Sequence, residues 1–184
     1  LLTGRTPARY GFMYNINDRG NLDAGAGLPT DVPTIAERLK PMGYRTAVFG
    51  KWHQGAEPKF YPTRRGFDEF FGFLAGETIY AEPDTSGLVT TPTKADRYDP
   101  AKREGGGRLF EGPDMQVVEQ PNQYLTETIT DRTVDFIRRS AASGQPFFGY
   151  VAYNAPHWPL QVPKVYYDNR SEIADPVRRT YVAM

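Results

Sequence analysis

Tyr44-Arg45-Thr46-Ala47-Val48-Phe49 runs into Gly50-Lys51-Trp52-His53, and its counterpart Phe147-Phe148-Gly149-Tyr150-Val151-Ala152 runs into Tyr153-Asn154-Ala155-Pro156-His157. Each opens with a short apolar run of strand length. Each run follows a helix-like segment ending at a glycine, Gly43 or Gly144. Each delivers one of the two histidines in the chain a few residues further on. Helix, strand and loop in that order, twice over, argue for an α/β fold with a parallel sheet and helices on its faces. In open α/β sheets, ligands bind in the crevice outside the carboxyl ends of the strands. Two histidines brought there by similar units read as one site.

Working outward, Thr30-Asp31-Val32-Pro33 predicts a helix start, with a capping side chain and then Pro near the first turn. Ile35, Leu39 and Met42 follow at i, i+4, i+7 as its apolar face, and Pro41 and Gly43 suit its end. A second helix is predicted over roughly Tyr124 to Ser140. Leu125, Ile129, Phe136 and Ile137 form its apolar face, Thr133 fills the gap, and Asp131, Arg132, Asp135, Arg138 and Arg139 face solvent. Asp175 to Met184 reads as another helix, with Val177, Tyr181 and Met184 on one face. Leu1 to Thr3 reads as a helix end stopped at Gly4. Residues 15–30 read as a loop. The aromatic cluster Phe67, Phe70, Phe71, Phe73 reads as core or pocket wall. Arg64 and Arg65 are expected to be solvated or salt-bridged, and Asp68 to cap a turn rather than ligate a metal. Residues 82–122 carry Pro, Gly and charge with little periodicity. They read as a long excursion with one short strand at Gln116 to Glu119.

The bulk numbers narrow the function. A chain of 184 residues suits one domain with a real core. With 39% hydrophobic residues and a mean hydropathy of −0.58, a soluble globular protein is expected. Twenty-two basic and 22 acidic residues cancel, so no electrostatic ground exists for nucleic acid or an anionic membrane as partner. The absence of cysteine excludes a disulfide, a thiolate metal site and a cysteine nucleophile within these residues. No apolar run approaches the ~18 residues of a membrane span, and no signal-peptide pattern is present. There is no Gly-rich phosphate loop, no Gly-x-Ser-x-Gly elbow and no carboxylate pair at metal-ligand spacing.

Lys51 and His53 are two residues apart, so in an extended backbone their side chains share one side. A cation and an imidazole facing one pocket suit an anionic substrate, one holding charge and the other moving a proton. The plainer alternative is a surface lysine and a histidine packed beside Trp52. His157 lies between Pro156 and Trp158-Pro159, and prolines on both sides stiffen its loop and aim its ring. Its plainer alternative is a turn histidine bonded to backbone.

Taken in order, several blocks resemble one family, the type I, formylglycine-dependent sulfatases of the alkaline phosphatase superfamily. Leu1-Leu2-Thr3-Gly4-Arg5 matches the end of the family signature, and Gly50-Lys51-Trp52-His53-Gln54-Gly55 matches its Gly-Lys-Trp-His-x-Gly block. Arg65-Gly66-Phe67-Asp68 matches an Arg-Gly-Phe-Asp block, and Pro146 through Pro159 matches the strand and Pro-His segment. The resemblance covers residues 1 to about 163 and implies that 1–184 are part of one catalytic domain, with a variable insertion at about 77–122. It implies an alkaline-phosphatase-like α/β/α sandwich with a mostly parallel central sheet, incomplete at both ends. It implies hydrolysis of a sulfate monoester of an aryl or carbohydrate substrate, through a formylglycine made from Cys or Ser and hydrated to a gem-diol that attacks sulfur. It implies a divalent cation, Ca2+. By motif, Lys51 would contact the sulfate and formylglycine oxygens. His53 would contact the formylglycine hydroxyl and help expel sulfate, and His157 would bind the sulfate and stabilise or protonate near the leaving oxygen. The nucleophile is expected just before Leu1 and the metal ligands beyond both ends, none within the chain, so the isolated chain is expected to be inactive. A formylglycine-generating or equivalent maturation enzyme is the implied partner, and the implied location is periplasmic, secreted or lysosomal. Two alternatives stand beside this: a phosphate or phosphonate ester hydrolase of the same superfamily, and a non-catalytic module binding sulfated glycan. Intact Lys51, His53 and His157 argue against the second.

Overall fold

The computed structural model describes residues 1–13, 15–16, 25–74, 76–92 and 108–184. A five-stranded sheet organises them. Its strands are β1 (Arg45–Lys51), β2 (Glu69–Phe73), β4 (Leu109–Glu111), β5 (Gln116–Val118) and β6 (Phe147–Ala152), in the spatial order β5-β4-β2-β1-β6. β1 is central and runs parallel to both β2 and β6, with Ala47 opposite Glu69 and Gly149. β4 is antiparallel to β2, and β5 antiparallel to β4. A separate antiparallel ribbon pairs β3 (Leu88–Thr91) with β7 (Leu160–Pro163). Four helices accompany them: α1 (Ile35–Leu39), α2 (Leu125–Ser143), α3 (Lys164–Asp168) and α4 (Pro176–Ala183).

Strand alternation divides the core into two layers. Ala47 and Phe49 of β1 and Phe71 and Phe73 of β2 point to one face, where Leu125, Ile129 and Phe136 of α2 cover them. Phe136 packs against Phe49 and Phe147, with ring centroids 5.7 Å apart in both pairs. Val48 and Phe70 point to the other face and meet Ala36, Trp52, Phe67 and Leu2. The expected sandwich is therefore present, and the strands at 147–152 and 116–118 lie where the sequence placed them.

Several expectations need correction. The aromatic cluster Phe67, Phe70, Phe71, Phe73 is core, as expected, and its last three members lie in β2, an interior strand that the pattern does not reveal. β3 and β4 lie inside what read as an excursion, and β4 joins the central sheet. Residues 93–107 of that excursion, and 17–24 of the 15–30 loop, lie outside the described residues. Leu2 and Thr3 form a turn ahead of Gly4. α1 starts at Thr34 rather than in Thr30–Pro33. The Thr34 hydroxyl accepts from Glu37 N, and the Glu37 carboxylate accepts from Thr34 N at 2.6 Å, a reciprocal capping box. The apolar residues expected inside, Ile35 and Met42, are exposed, and Ala36 is buried instead. Ile137 of α2 and Val177 and Tyr181 of α4 are likewise exposed. Each sits on a side of its helix that no described element covers.

Arg65 shows why α1 sits where it does. Its side chain is 1% exposed and donates to the carbonyls of Leu28 and Val32 at 2.6 and 2.7 Å, with Glu37 alongside at 3.4 Å. The Thr34 hydroxyl also donates to the Arg65 carbonyl at 2.8 Å. Thr34→Ala removes the helix cap and this buried bond together. The expected loss is about 1–2 kcal/mol, read as a shift of the urea midpoint with an unchanged slope.

Two carboxylates tie the sheet to its helices. The Arg139 guanidinium holds Glu69 below the usual carboxylate range by a two-pronged bond at 2.8 and 3.0 Å; burial opposes it and Arg45 assists. Burial alone would push Asp68 up, but bonds from Lys40 and from Thr46 outweigh it and leave its pKa lowered. Depressed carboxylate pKa values contribute stability above the unfolded-state value near ~4, which is lost as pH falls through the lowered folded values. Glu69→Gln is therefore expected to be less stable than the parent at neutral pH. The difference should close in urea titrations repeated well below pH ~4.

Candidate functional site

β1 is the element that builds the site. Its last residue is Lys51, at the carboxyl end of the sheet. Gly50, just before it, has φ 103°, and a Cβ built there would lie 2.1 Å from the Ala152 carbonyl oxygen of β6. Only glycine lets the two strands approach so closely at that end. Trp52 then turns inward, 1% exposed, donating its indole N–H to the Phe60 carbonyl at 2.8 Å and meeting Phe67 edge-on.

His53 follows with φ 50°, so the backbone there is left-handed rather than extended. The simple alternation expected for Lys51 and His53 does not apply. Both still line one cavity of about 260 Å³, because the backbone N–H groups of Trp52 and His53 are held by the Phe73 and Leu74 carbonyls at 2.9 and 3.1 Å. That volume lies at the small end for ligand sites and suits one compact group. The His53 Nε2 lies 3.2 Å from the Ile16 carbonyl. A carbonyl only accepts, so Nε2 carries the hydrogen, and in the neutral ring Nδ1 is the acceptor.

Four further polar residues stand in the wall: Asn15, Gln54, Tyr150 and Tyr153. Burial pushes the Tyr150 phenol above its usual pKa, which keeps it a neutral hydrogen-bonding group. Sequence reasoning missed all four. Tyr150 and Tyr153 were visible only as strand and loop residues, and Asn15 comes from a loop that has no periodicity to read.

His157 stands apart from that cavity. It follows β6, whose Ala152 is paired with Gly50, so both histidines do leave adjacent parallel strands at the same end of the sheet. Its backbone N–H donates to the Asn154 carbonyl at 2.9 Å, and its Nδ1 donates to the Trp158 carbonyl at 2.8 Å. In the neutral ring this leaves Nε2 as the acceptor, the opposite tautomer to His53. The peptides before Pro156 and Pro159 are both cis.

The remaining charged candidates are structural. Arg65 and Asp68 are committed to the contacts described above, and neither lines the cavity. Among the described residues no group of three His, Asp or Glu side chains gathers as a metal-binding cluster would. Among the described residues no helix is long and apolar enough to cross a membrane.

Comparison with known proteins agrees with this geometry. The Sulfatase family model matches residues 1–184. Arylsulfatase G of Mus musculus is 33% identical over 181 residues, covering 88% of this chain and 32% of the relative. N-acetylgalactosamine-6-sulfatase of Sus scrofa is 31% identical over 184 residues, covering 97% of this chain and 34% of the relative. Among solved structures, Ps i-CgsB in complex with k-i-k-neocarrahexaose superposes with a TM-score of 0.81 at 31% identity, covering 100% of this chain and 39% of that one. PsFucS1 sulfatase from Pseudoalteromonas sp. shares the fold with a TM-score of 0.65 at 21% identity, covering 99% of this chain and 38% of its own. The chain spans about a third of the length of the curated relatives it matches. Matched along its whole length by one family model, and sharing its fold with a solved relative at 31% identity, the chain belongs to the sulfatase family.

Proposed function

We propose that the full-length protein hydrolyses a sulfate monoester of an aryl alcohol or a sugar. The observation that supports this most is the sharing of one cavity by Lys51 and His53, at the carboxyl end of β1, in a chain matched throughout by the sulfatase family. In this reading the Lys51 ammonium holds the charge of the sulfate oxygens. His53, with Nε2–H anchored on Ile16, takes and returns a proton at Nδ1. His157, with Nδ1–H anchored on Trp158, does the same at Nε2 beside the leaving oxygen. A formylglycine would supply the attacking oxygen, and a divalent cation, for which we propose calcium, would neutralise the sulfate. A formylglycine-generating enzyme is the proposed maturation partner. The relatives' names, arylsulfatase and N-acetylgalactosamine-6-sulfatase, and the neocarrahexaose bound to the structural neighbour support the two substrate classes.

The test is turnover by the full-length protein, co-expressed with a formylglycine-generating enzyme, of 4-nitrophenyl sulfate and 4-nitrophenyl phosphate, followed by a panel of sugar sulfates. Sulfate release is the expected result. Faster release of phosphate would move the protein to phosphate ester chemistry, and binding of sulfated sugar without release would make it a binding module.

A further inference from the structure

The loop that carries His157 is held by polar side chains that the reading above leaves unused. Tyr80, Asn154 and Gln161 are 0%, 5% and 2% exposed. The Tyr80 hydroxyl donates to the His157 carbonyl at 2.9 Å. The Asn154 carbonyl accepts from the His157 N–H, and the Asn154 Nδ2 donates to the Thr78 carbonyl at 2.8 Å. Both main-chain polar groups of His157 are thus tied down. Tyr80 is itself immobilised. Its N–H donates to Gln161 Oε1 at 3.0 Å, its carbonyl accepts from Leu125 N at 2.7 Å, and its ring stacks on Tyr124 at 5.4 Å. Gln161 Nε2 donates back to the Ala81 carbonyl at 3.3 Å.

This lattice is a costly way to fill space. Among the described residues Asn154 Oδ1 is buried without a partner, and such an atom lowers stability because its lost hydration is not replaced. Apolar side chains of similar size would pack without that loss. What a hydrogen-bonded polar lattice supplies, and an apolar filler does not, is a single orientation for the backbone it grips. We infer that Tyr80, Asn154 and Gln161 are positioning residues for His157, clamping its loop onto segment 78–81 so that the ring meets the leaving oxygen in one geometry. The inference rests on the role given to His157 under the proposed function.

The experiment uses the full-length, formylglycine-bearing protein and a series of aryl sulfates whose leaving phenols rise in pKa. Tyr80→Phe deletes one hydroxyl and keeps the stack on Tyr124. A displaced acid–base group hurts poor leaving groups most. The expected result is a rate within about 2-fold of the parent on 4-nitrophenyl sulfate and a kcat about 10- to 100-fold lower on the poorest leaving group, with KM unchanged. His157→Ala should steepen the leaving-group dependence further, and the double variant should match His157→Ala alone, because both changes act on one group. Asn154→Ala leaves the main-chain bond to His157 in place but removes the Nδ2 bond that ties the loop to the Thr78 carbonyl, and should give the same pattern, so a folding failure of one variant leaves the other decisive. Equal slowing across the series, or losses that multiply in the double variant, would overturn the inference. If His157→Ala itself leaves the dependence unchanged, the role proposed for His157 fails and the inference falls with it.

Discussion

Replacement of His53 by alanine in the full-length protein should lower kcat on an aryl sulfate by about 10²–10⁴-fold, the usual worth of a positioned acid–base group. Lys51→Ala should cost about 10²–10³-fold, the range for removing one electrostatic partner of a developing anion. Both side chains line the same cavity, and the His53 ring is aimed by the Ile16 carbonyl. His53 is only half-buried and sits outside both core clusters, so thermal stability should hardly move. Steady-state kinetics on purified variants with matched melting temperatures is the measurement. A kcat within about 2-fold of the parent would remove that residue from the machinery. His53→Gln offers a finer reading, since an amide restores a donor to Ile16 without restoring a titratable ring.

Gly50→Ala should be strongly damaging to folding, at about 4 kcal/mol. Two terms add. A non-glycine residue at φ 103° carries backbone strain of about 1–3 kcal/mol. The new methyl would lie 2.1 Å from the Ala152 carbonyl oxygen, so β1 and β6 must separate and give up ladder bonds worth about 0.5–1.5 kcal/mol each. The backbone beneath Lys51 would move with them. Gly87 isolates the steric term: its φ is 74°, but nothing lies within 4 Å of an added Cβ. Gly87→Ala should therefore cost only the strain, about 1 kcal/mol. Urea unfolding of the two variants side by side checks the difference, and equal losses would show that the β1–β6 approach is not what Gly50 protects.

The parts of the molecule legible in advance are those whose signal is local. β6 was bounded correctly because Gly144 and Pro146 precede an uninterrupted apolar run. α2 was found because Leu125, Ile129 and Phe136 repeat at helical spacing and are all fully buried. Asp175 accepts from Arg178 N at 2.7 Å and so caps α4 as its position ahead of Pro176 suggested. β2 was missed because an interior strand is buried on both faces, so Phe70, Phe71 and Phe73 show no alternation to distinguish strand from core cluster. β4 is three residues long and is strand only because β2 and β5 pair with it.

The site divides along the same line. Gly-Lys-Trp-His and the Pro-His segment, read in order, were enough to name the family and the three polar residues, because short motifs survive in sequence without their surroundings. The cavity was not readable. His53 leaves the extended conformation, and what turns it beside Lys51 is a pair of hydrogen bonds from the loop after β1 to the end of β2. Tyr150, Tyr153 and Asn15 reach the same cavity from segments far apart in the chain. The sequence by itself determined which residue types follow β1 and β6 and that segments 45–51 and 147–152 are strands, since both follow from residue type and local spacing. Tertiary structure alone decided where each ring points and which tautomer it holds, since those depend on carbonyls contributed by distant segments.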